Sequence, residues 1–194
     1  MKAFWCFLLG AACGGAVLMM LPKAGAHLQA ASHPLHGNAA QSGRSLRAHT
    51  EENFVFTAHA PMEQVAPLFG AYKERVWSPQ WDPQFIYPLP AADAQGMVFT
   101  VAHHHLHSVW VNSELNLKNG RVQYVYVIPD ALVTVVTLNL KPEGNQTLVE
   151  VHYDRTALTP EADAQVSEMA RQDHDSGPEW QTQINQYLEK HKGS

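Results

Sequence analysis

Cysteine is nearly absent from this chain of 194 residues. Its two cysteines, Cys6 and Cys13, both lie in the first apolar run, and none follows. The rest of the chain therefore has no residues for a disulfide, a thiolate metal site or a cysteine nucleophile. Such a composition fits an exported protein that avoids stray thiols.

Positive charge is also scarce. Lysine and arginine number 13 against 18 aspartates and glutamates, which gives a formal net charge of −5. This balance argues against a general nucleic-acid binder, which needs a basic surplus to pair with phosphates. The chain also lacks a G-x-S-x-G elbow, a phosphate-binding loop, a dinucleotide-binding glycine motif and an H-E-x-x-H zinc motif. What it does have is 45% hydrophobic residues, enough to build a core.

The first 26 residues predict an export signal or a membrane anchor. Met1-Lys2 is followed by an uncharged apolar run over 3–21, and Ala24-Gly25-Ala26 provides a small-residue cleavage site. This order is typical of a secretory signal cleaved after Ala26. The run approaches the ~20 residues that span a bilayer, so an uncleaved anchor is the alternative. A lipoprotein signal at Cys13 fits less well, because Gly10 stands where leucine is usual. Each alternative predicts an exported domain, periplasmic or held outside the cytoplasm at the membrane.

The remaining chain divides into a linker and one domain. Residues 27–50 contain no acidic and no aromatic residue, and this composition predicts a disordered linker. The folded domain is predicted over 51–190, with its first strand beginning at Glu52 and a short tail at 191–194. On this division, a chain beginning at Glu51 should melt at nearly the same temperature as one beginning at His27.

Hydrophobic periodicity within 51–190 predicts mainly strands. A strand at 52–58 is followed by helical spacing over 62–76, a short strand at 84–88, and strands at 96–103, 107–117, 121–128, 131–141 and 146–156. Tight turns such as Asn119-Gly120 join consecutive strands into an antiparallel meander. Residues 160–190 predict one helix kinked near Gly177, or two in tandem, with a sheet-facing side formed by Val166, Met169, Ile184 and Leu188. The predicted fold class is α+β, a curved antiparallel sheet wrapped around a long C-terminal helix, with a ligand cavity between them.

This order of elements resembles the START-like superfamily, also called SRPBCC or Bet v 1-like, and its helix-grip fold. The local sequences that carry the resemblance are Ala60-Pro61-Met62-Glu63-Gln64-Val65, Trp77-Ser78-Pro79-Gln80-Trp81-Asp82-Pro83 and Tyr153-Asp154-Arg155-Thr156-Ala157-Leu158. The resemblance covers residues 51–190 and implies a hydrophobic ligand in the cavity. Lipid carriage and polyketide cyclisation are among the activities of the superfamily. It implies neither a shared set of catalytic residues nor a cofactor.

Rings and polar side chains of the predicted cavity are the candidate ligand contacts. Arg155 shares a strand face with Val149, Val151 and Tyr153. It therefore pairs with a carboxylate, anchors the acidic head group of a ligand, or reaches solvent at the strand end. The predicted ligand-binding residues are Trp77, Trp81, His103, Trp110, Tyr124, Tyr126, Tyr153 and Arg155.

Two clusters contain histidine. His103-His104-His105-Leu106-His107 falls between two predicted strands and should lie at a hairpin. Imidazoles suit zinc, copper or nickel, but no acidic or cysteine partner is near in sequence, so we predict no bound metal. Asp173-His174-Asp175 is predicted to be a solvated kink in the C-terminal helix.

The leading hypothesis is an exported, non-enzymatic protein that binds a hydrophobic or amphipathic small molecule, such as a lipid, in the cavity. Each ligand methylene buried there contributes about 0.8 kcal/mol. The alternatives are a cyclase- or aromatase-like enzyme of the same fold and a histidine-based metal protein. A dry apolar lining favours carriage, whereas converging arginine, histidine, glutamate or tyrosine side chains favour chemistry. No nucleic-acid partner is predicted, and contact with the membrane is predicted only through residues 1–26 if they remain uncleaved.

Overall fold

One curved, seven-stranded antiparallel sheet forms the body of the molecule. The computed structural model describes residues 46–103 and 106–192. Its strands are β1 (His49–Ala58), β2 (Gln84–Tyr87), β3 (Val98–His103), β4 (Leu106–Asn116), β5 (Arg121–Ile128), β6 (Leu132–Glu143) and β7 (Gln146–Ala157). The spatial order β1-β7-β6-β5-β4-β3-β2 makes β2 to β7 a meander, while β1 pairs with β7. The predicted antiparallel meander is therefore confirmed.

The sheet has one buried face and one outer face. On β5 the buried residues Val122, Tyr124 and Tyr126 alternate with the more accessible Gln123 and Val125. The neighbouring strand β6 shows the same period of two over nine residues. The strands are joined by tight turns, and the turn between β4 and β5 requires a glycine. Gly120 has φ +66°, and a Cβ there would lie 2.2 Å from the Leu140 carbonyl oxygen.

The helices cover the buried face of the sheet. They are α1 (Met62–Val65), α2 (Asp163–His174) and α3 (Gly177–Lys190), with 3-10 turns at Ala66–Leu68, Lys73–Val76, Leu117–Asn119 and Pro160–Ala162. Two C-terminal helices in tandem were one of the two predicted arrangements. Both helices pack on β1. The predicted sheet-facing residues Val166, Met169, Ile184 and Leu188 are all buried, which confirms this face.

The segment 62–76 is less helical than its periodicity predicts. A single α-helical turn ends at Val65, and the following 3-10 turn ends at Leu68. The next residue, Phe69, leaves the helical region with a φ of −103° and a ψ of 54°. Pro67 contributes to this, because it has no N–H to donate to a continued helix. Val76 is exposed rather than part of an apolar helix face.

The predicted fold class is confirmed, while the predicted export segment lies outside the described residues. So does the linker 27–50 as far as residue 45. No helix within 46–103 and 106–192 combines the length and the hydropathy needed to cross a membrane.

The predicted start of the first strand was wrong by three residues, because β1 begins at His49. The last residues of the predicted linker pack on the domain. The Ala48 N–H donates to Asp163 Oδ1 (2.8 Å), the Ala157 N–H donates to the Ala48 carbonyl (2.9 Å), and Arg47 lies 3.5 Å from Asp163. These contacts hold the start of α2 against the edge of the sheet.

We therefore expect a chain beginning at Glu51 to be less stable than one beginning at Leu46. The shorter chain loses the hydrogen bonds of Ala48 and the β1 pairing of His49. Its free energy of unfolding should fall by about 1–2 kcal/mol, a decrease in melting temperature of about 3–8 °C. Differential scanning calorimetry measures the difference. D163A in the longer chain should reproduce part of the loss. Equal melting temperatures of the chains beginning at Glu51 and at Leu46 would show that the stable domain begins at residue 51.

Candidate ligand-binding interior

Aromatic side chains fill the space between the sheet and the C-terminal helices. Trp110 of β4 stacks on Tyr126 of β5 at a centroid distance of 4.1 Å and on Phe99 of β3 at 5.6 Å. Trp81 meets Trp110 edge-on at 5.6 Å. From the helix side, Trp180 of α3 packs against Phe54, Phe56 and Trp77. Such stacked and edge-on pairs contribute stability beyond simple area burial.

The polar edges of the tryptophans are satisfied within the protein. The indole N–H of Trp77 donates to the Leu68 carbonyl (2.8 Å) and that of Trp81 to the Ala71 carbonyl (2.7 Å). These two bonds tie the irregular segment 77–83 to the residues just before it. Trp110 donates to Ser108 Oγ at 2.7 Å.

An open cavity was expected here, and the structure shows a closed interior instead. Of the eight predicted ligand-binding residues, the seven whose side chains are described are between 0 and 6% exposed. Walls of an accessible cavity would keep some solvent-accessible surface, so these side chains pack mainly against one another. The eighth, His103, ends β3 opposite Leu106, which confirms the predicted hairpin, but its side chain lies outside the described part of the chain.

A buried polar network surrounds Arg155. This arginine is 0% exposed and projects from β7 into the interior. Its Nε donates to Thr134 Oγ1 of β6 (3.1 Å), Nη2 donates to the Tyr126 hydroxyl (3.1 Å), and Nη1 forms an ion pair with Asp173 of α2. The guanidinium also lies 5.6 Å from the ring centre of Tyr153. The interior therefore combines a fixed cation with several donors and acceptors.

Asp173 was predicted to lie in a solvated kink, and this prediction was wrong. Its side chain is 2% exposed, because a charged arginine on the concave face requires a counterion and α2 supplies it. Burial raises the pKa of Asp173 to about 6, and the charge and hydrogen bond of Arg155 only partly offset that effect. The next two residues, His174 and Asp175, are exposed as expected.

A second buried carboxylate, Glu74, lies in the 3-10 turn at Lys73–Val76. The Tyr124 hydroxyl donates to Glu74 Oε1 at 2.9 Å. Burial raises the pKa of Glu74 to about 8 despite this hydrogen bond. The side chain is therefore mostly protonated at neutral pH and can act as a hydrogen-bond donor.

Asp93 holds the turn that carries Glu74. Its carboxylate accepts hydrogen bonds from the N–H groups of Tyr72 (2.7 Å) and Lys73 (3.1 Å). Gly70 makes room for this contact, because a Cβ at position 70 would lie 2.2 Å from Asp93 Cγ. The loop before β3 thus fixes the turn that carries a buried acid.

Sequence reasoning identified Arg155, Tyr124, Tyr126 and Tyr153 but missed Asp173 and Glu74. A signal for Asp173 was present, since it follows Val166, Met169 and Ala170 at the helical spacing of the buried face. No comparable signal marks Glu74, which lies between Lys73 and Arg75 and has the appearance of a solvated charge run. Its burial follows from the tertiary position of the turn.

The histidine-rich hairpin is only partly described, because His104 and His105 fall in the undescribed gap. Within the described residues, no group of three or more histidine, cysteine, aspartate or glutamate side chains is arranged to hold a metal ion.

The fold is shared with solved structures of very low sequence identity. Norcoclaurine synthase from Thalictrum flavum matches with a TM-score of 0.56 and 9% identity, over 84% of this chain and 100% of that one. The Mll3558 protein from Rhizobium loti matches with a TM-score of 0.53 and 14% identity, over 75% and 100%. A protein from Thermobifida fusca matches with a TM-score of 0.53 and 15% identity, over 73% and 95%. No protein-family model and no curated protein sequence matches the chain. At these identities the likeness concerns the fold alone.

The ion pair of Arg155 and Asp173 should be strongly coupled. Either R155M or D173L alone leaves an uncompensated buried charge and should lower the free energy of unfolding by about 3–5 kcal/mol. The double variant R155M/D173L removes both charges and should lie within about 1 kcal/mol of wild type. Urea unfolding of wild type, the two single variants and the double variant gives a double-mutant cycle. Additive losses in the double variant would contradict the coupling.

Glu74 should make stability depend on pH. Its pKa is higher in the folded protein than in the unfolded chain, so the folded state binds the extra proton. The free energy of unfolding should therefore fall as pH rises from about 6.5 to 8, by up to about 1.4 kcal/mol per unit. E74Q should flatten this slope. E143Q, at an exposed carboxylate, should retain it, and equal slopes in wild type and E74Q would refute the assignment.

Proposed function

This chain has the helix-grip fold of the Bet v 1-like, or START-like, superfamily, and we propose that it uses the interior of that fold to bind an amphipathic small molecule with an acidic head group. The apolar body of the ligand would lie among the rings between the sheet and the C-terminal helices. Its head group would be held by Arg155 with Tyr126 and Tyr153. This proposal covers a fatty acid and other acidic lipids alike.

The observation that carries the proposal is the polar network in an otherwise aromatic interior. A buried ion pair is weak as a source of stability, because desolvation consumes most of its Coulombic attraction. The raised pKa of Asp173, about 6, reflects this desolvation directly. Buried ionisable groups that contact one another and have shifted pKa values are more typical of binding sites than of purely structural cores. In the closed structure, Asp173 occupies the place of the acidic head group.

Entry of a ligand requires an element that can move, and α2 is best suited to this. Its buried apolar side chains are Val166, Met169 and Ala170, whereas α3 buries the larger Trp180 with Ile184 and Leu188. Displacing α2 thus exposes less apolar surface than displacing α3. The break at Asp175–Ser176 allows α2 to swing without α3, and such a movement would carry Asp173 away from Arg155.

A cyclase-type enzyme is the second candidate function. Converging tyrosines, carboxylates and an arginine, rather than a purely apolar lining, favour it. Glu74 beside Tyr124 is a buried acid with a pKa of about 8, close to the value that suits proton transfer at neutral pH. Turnover of a substrate, rather than stoichiometric binding, distinguishes this candidate from the first.

Export of the domain is proposed on residues 1–26 alone, as is any attachment to the membrane. A periplasmic or surface location would give the domain access to lipids and other amphiphiles. Native mass spectrometry of the chain purified from its own host would identify a bound molecule.

The head-group proposal is tested with dansyl-labelled undecanoic acid and its methyl ester. We expect saturable fluorescence enhancement on wild type, with the acid bound at least about tenfold more tightly than the ester, because Arg155 would pair with the carboxylate. R155M/D173L removes the pair and should bind acid and ester equally.

The matched control is R121M/E114L, which removes the exposed ion pair between Arg121 and Glu114 on the outer side of the sheet. It should bind both probes as wild type does. Absence of saturable binding, or the same acid preference in all three proteins, would overturn the proposal.

A further inference from the structure

A cleft, separate from the closed aromatic interior, opens on the surface at the end of α3. It has a volume of about 450 Å³ and lies between residues 75–79 and the last turns of the helix. Its lining residues are Arg75, Val76, Trp77, Pro79, Gln183, Gln186, Tyr187, Lys190 and His191. The volume is within the range of about 300–1,000 Å³ usual for small-molecule sites.

The lining of this cleft is cationic. Its two cations are Arg75, from the 3-10 turn at 73–76, and Lys190, from the end of α3; His191 also belongs to the lining. No aspartate or glutamate belongs to the lining. The cleft is thus locally positive in a chain that has five more acidic than basic residues.

The two long cations of the cleft also form no ion pair with a carboxylate of the described residues. Six of the ten described lysines and arginines lie within salt-bridge distance of a carboxylate, namely Arg47, Arg121, Lys141, Arg155, Arg171 and Lys192. The four that do not are Lys73, Arg75, Lys118 and Lys190, and two of these four line the same cleft. Asp93 attracts Arg75 from a greater distance, but its oxygens already accept the N–H groups of Tyr72 and Lys73.

The rest of the lining is apolar or neutral and partly preorganised. The Arg75 guanidinium lies 4.7 Å from the ring centre of Tyr72 and 5.6 Å from that of Phe85, which steadies it without neutralising it. On the other side, the ring of Tyr187 stacks on that of His191 at 4.2 Å. Val76, Trp77 and Pro79 provide apolar surface between the cations.

We propose that this cleft binds a small organic anion, whose carboxylate or phosphate group pairs with Arg75 and Lys190 and whose flat apolar part lies on Val76 and Pro79. Arginine presents a planar fork of donors that matches such oxygen groups, and lysine adds a mobile point charge. The site does not depend on the ligand proposed for the interior, because it is reached from solvent and shares only Trp77 with the interior set.

The test uses the whole chain, labelled with nitrogen-15, and 1-naphthoate as the probe. Naphthoate should shift the amide signals of residues 73–79 and 183–191 in a saturable way. R75Q/K190Q should weaken this binding about tenfold or more, because both ionic contacts are lost. The uncharged analogue 1-naphthylmethanol should bind wild type at least about fivefold more weakly than naphthoate.

The control K118Q/K141Q removes the same amount of charge from two lysines that belong neither to the lining of the cleft nor to the turn at 73–76. It should change naphthoate binding less than about twofold, since a site-specific contact is not affected by distant charge screened over a Debye length. R155M/D173L should likewise leave it unchanged, so that failure of the interior site and failure of the cleft are distinguishable.

Three results would overturn the proposal. Equal weakening of naphthoate binding in R75Q/K190Q and in the charge control K118Q/K141Q would show a diffuse charge effect. Amide shifts confined to interior residues would place naphthoate elsewhere. Sedimentation with phosphatidylglycerol vesicles, lost in R75Q/K190Q and not competed by naphthoate or inorganic phosphate, would assign the cleft to a lipid surface instead.

Discussion

The charge of Arg155 must be compensated inside an aromatic core, and much of the architecture follows from that requirement. A charged guanidinium that is 0% exposed is strongly destabilising without a partner, and a carboxylate brought to it offsets that cost. The sheet supplies only hydroxyl groups there, from Tyr126 and Thr134. The counterion comes from α2, and α2 is positioned at its other end by Asp163 with Arg47 and Ala48. Two electrostatic contacts thus fasten the helix that closes the interior.

The two buried carboxylates differ in what neutralises them. Asp173 faces a permanent cation and its pKa stays at about 6, so it is mainly ionised at neutral pH. Glu74 faces a tyrosine hydroxyl, and its pKa of about 8 leaves it mainly protonated. The interior therefore holds both an ion pair and a neutral acid.

Most of the fold could be predicted from the sequence, because strand alternation and tight turns are local signals. The alternation in β5 and β6 fixed their buried faces, and the spacing of Val166, Met169, Ile184 and Leu188 fixed the buried side of the helices. What could not be predicted depends on contacts distant in sequence. The docking of Ala48 requires Asp163, 115 residues away, and the burial of Glu74 requires Tyr124, 50 residues away. The sequence also does not show whether the aromatic side chains fill the space between sheet and helices. In the structure the residues predicted to line a cavity pack against one another and close it.

A closed interior is compatible with binding when the closing element is the one held by polar contacts. Apolar packing loses free energy in proportion to the area exposed and recovers it only as far as an apolar ligand covers that area again. An ion pair behaves differently, since an incoming carboxylate can take the place of Asp173 on Arg155 and recover the same interaction. Because α2 also buries few apolar side chains, exchange of one carboxylate for another offsets much of the cost of moving it. Of the two C-terminal helices, the one with the smaller buried side chains therefore carries the counterion, and under the proposed function a ligand of matching charge would displace it.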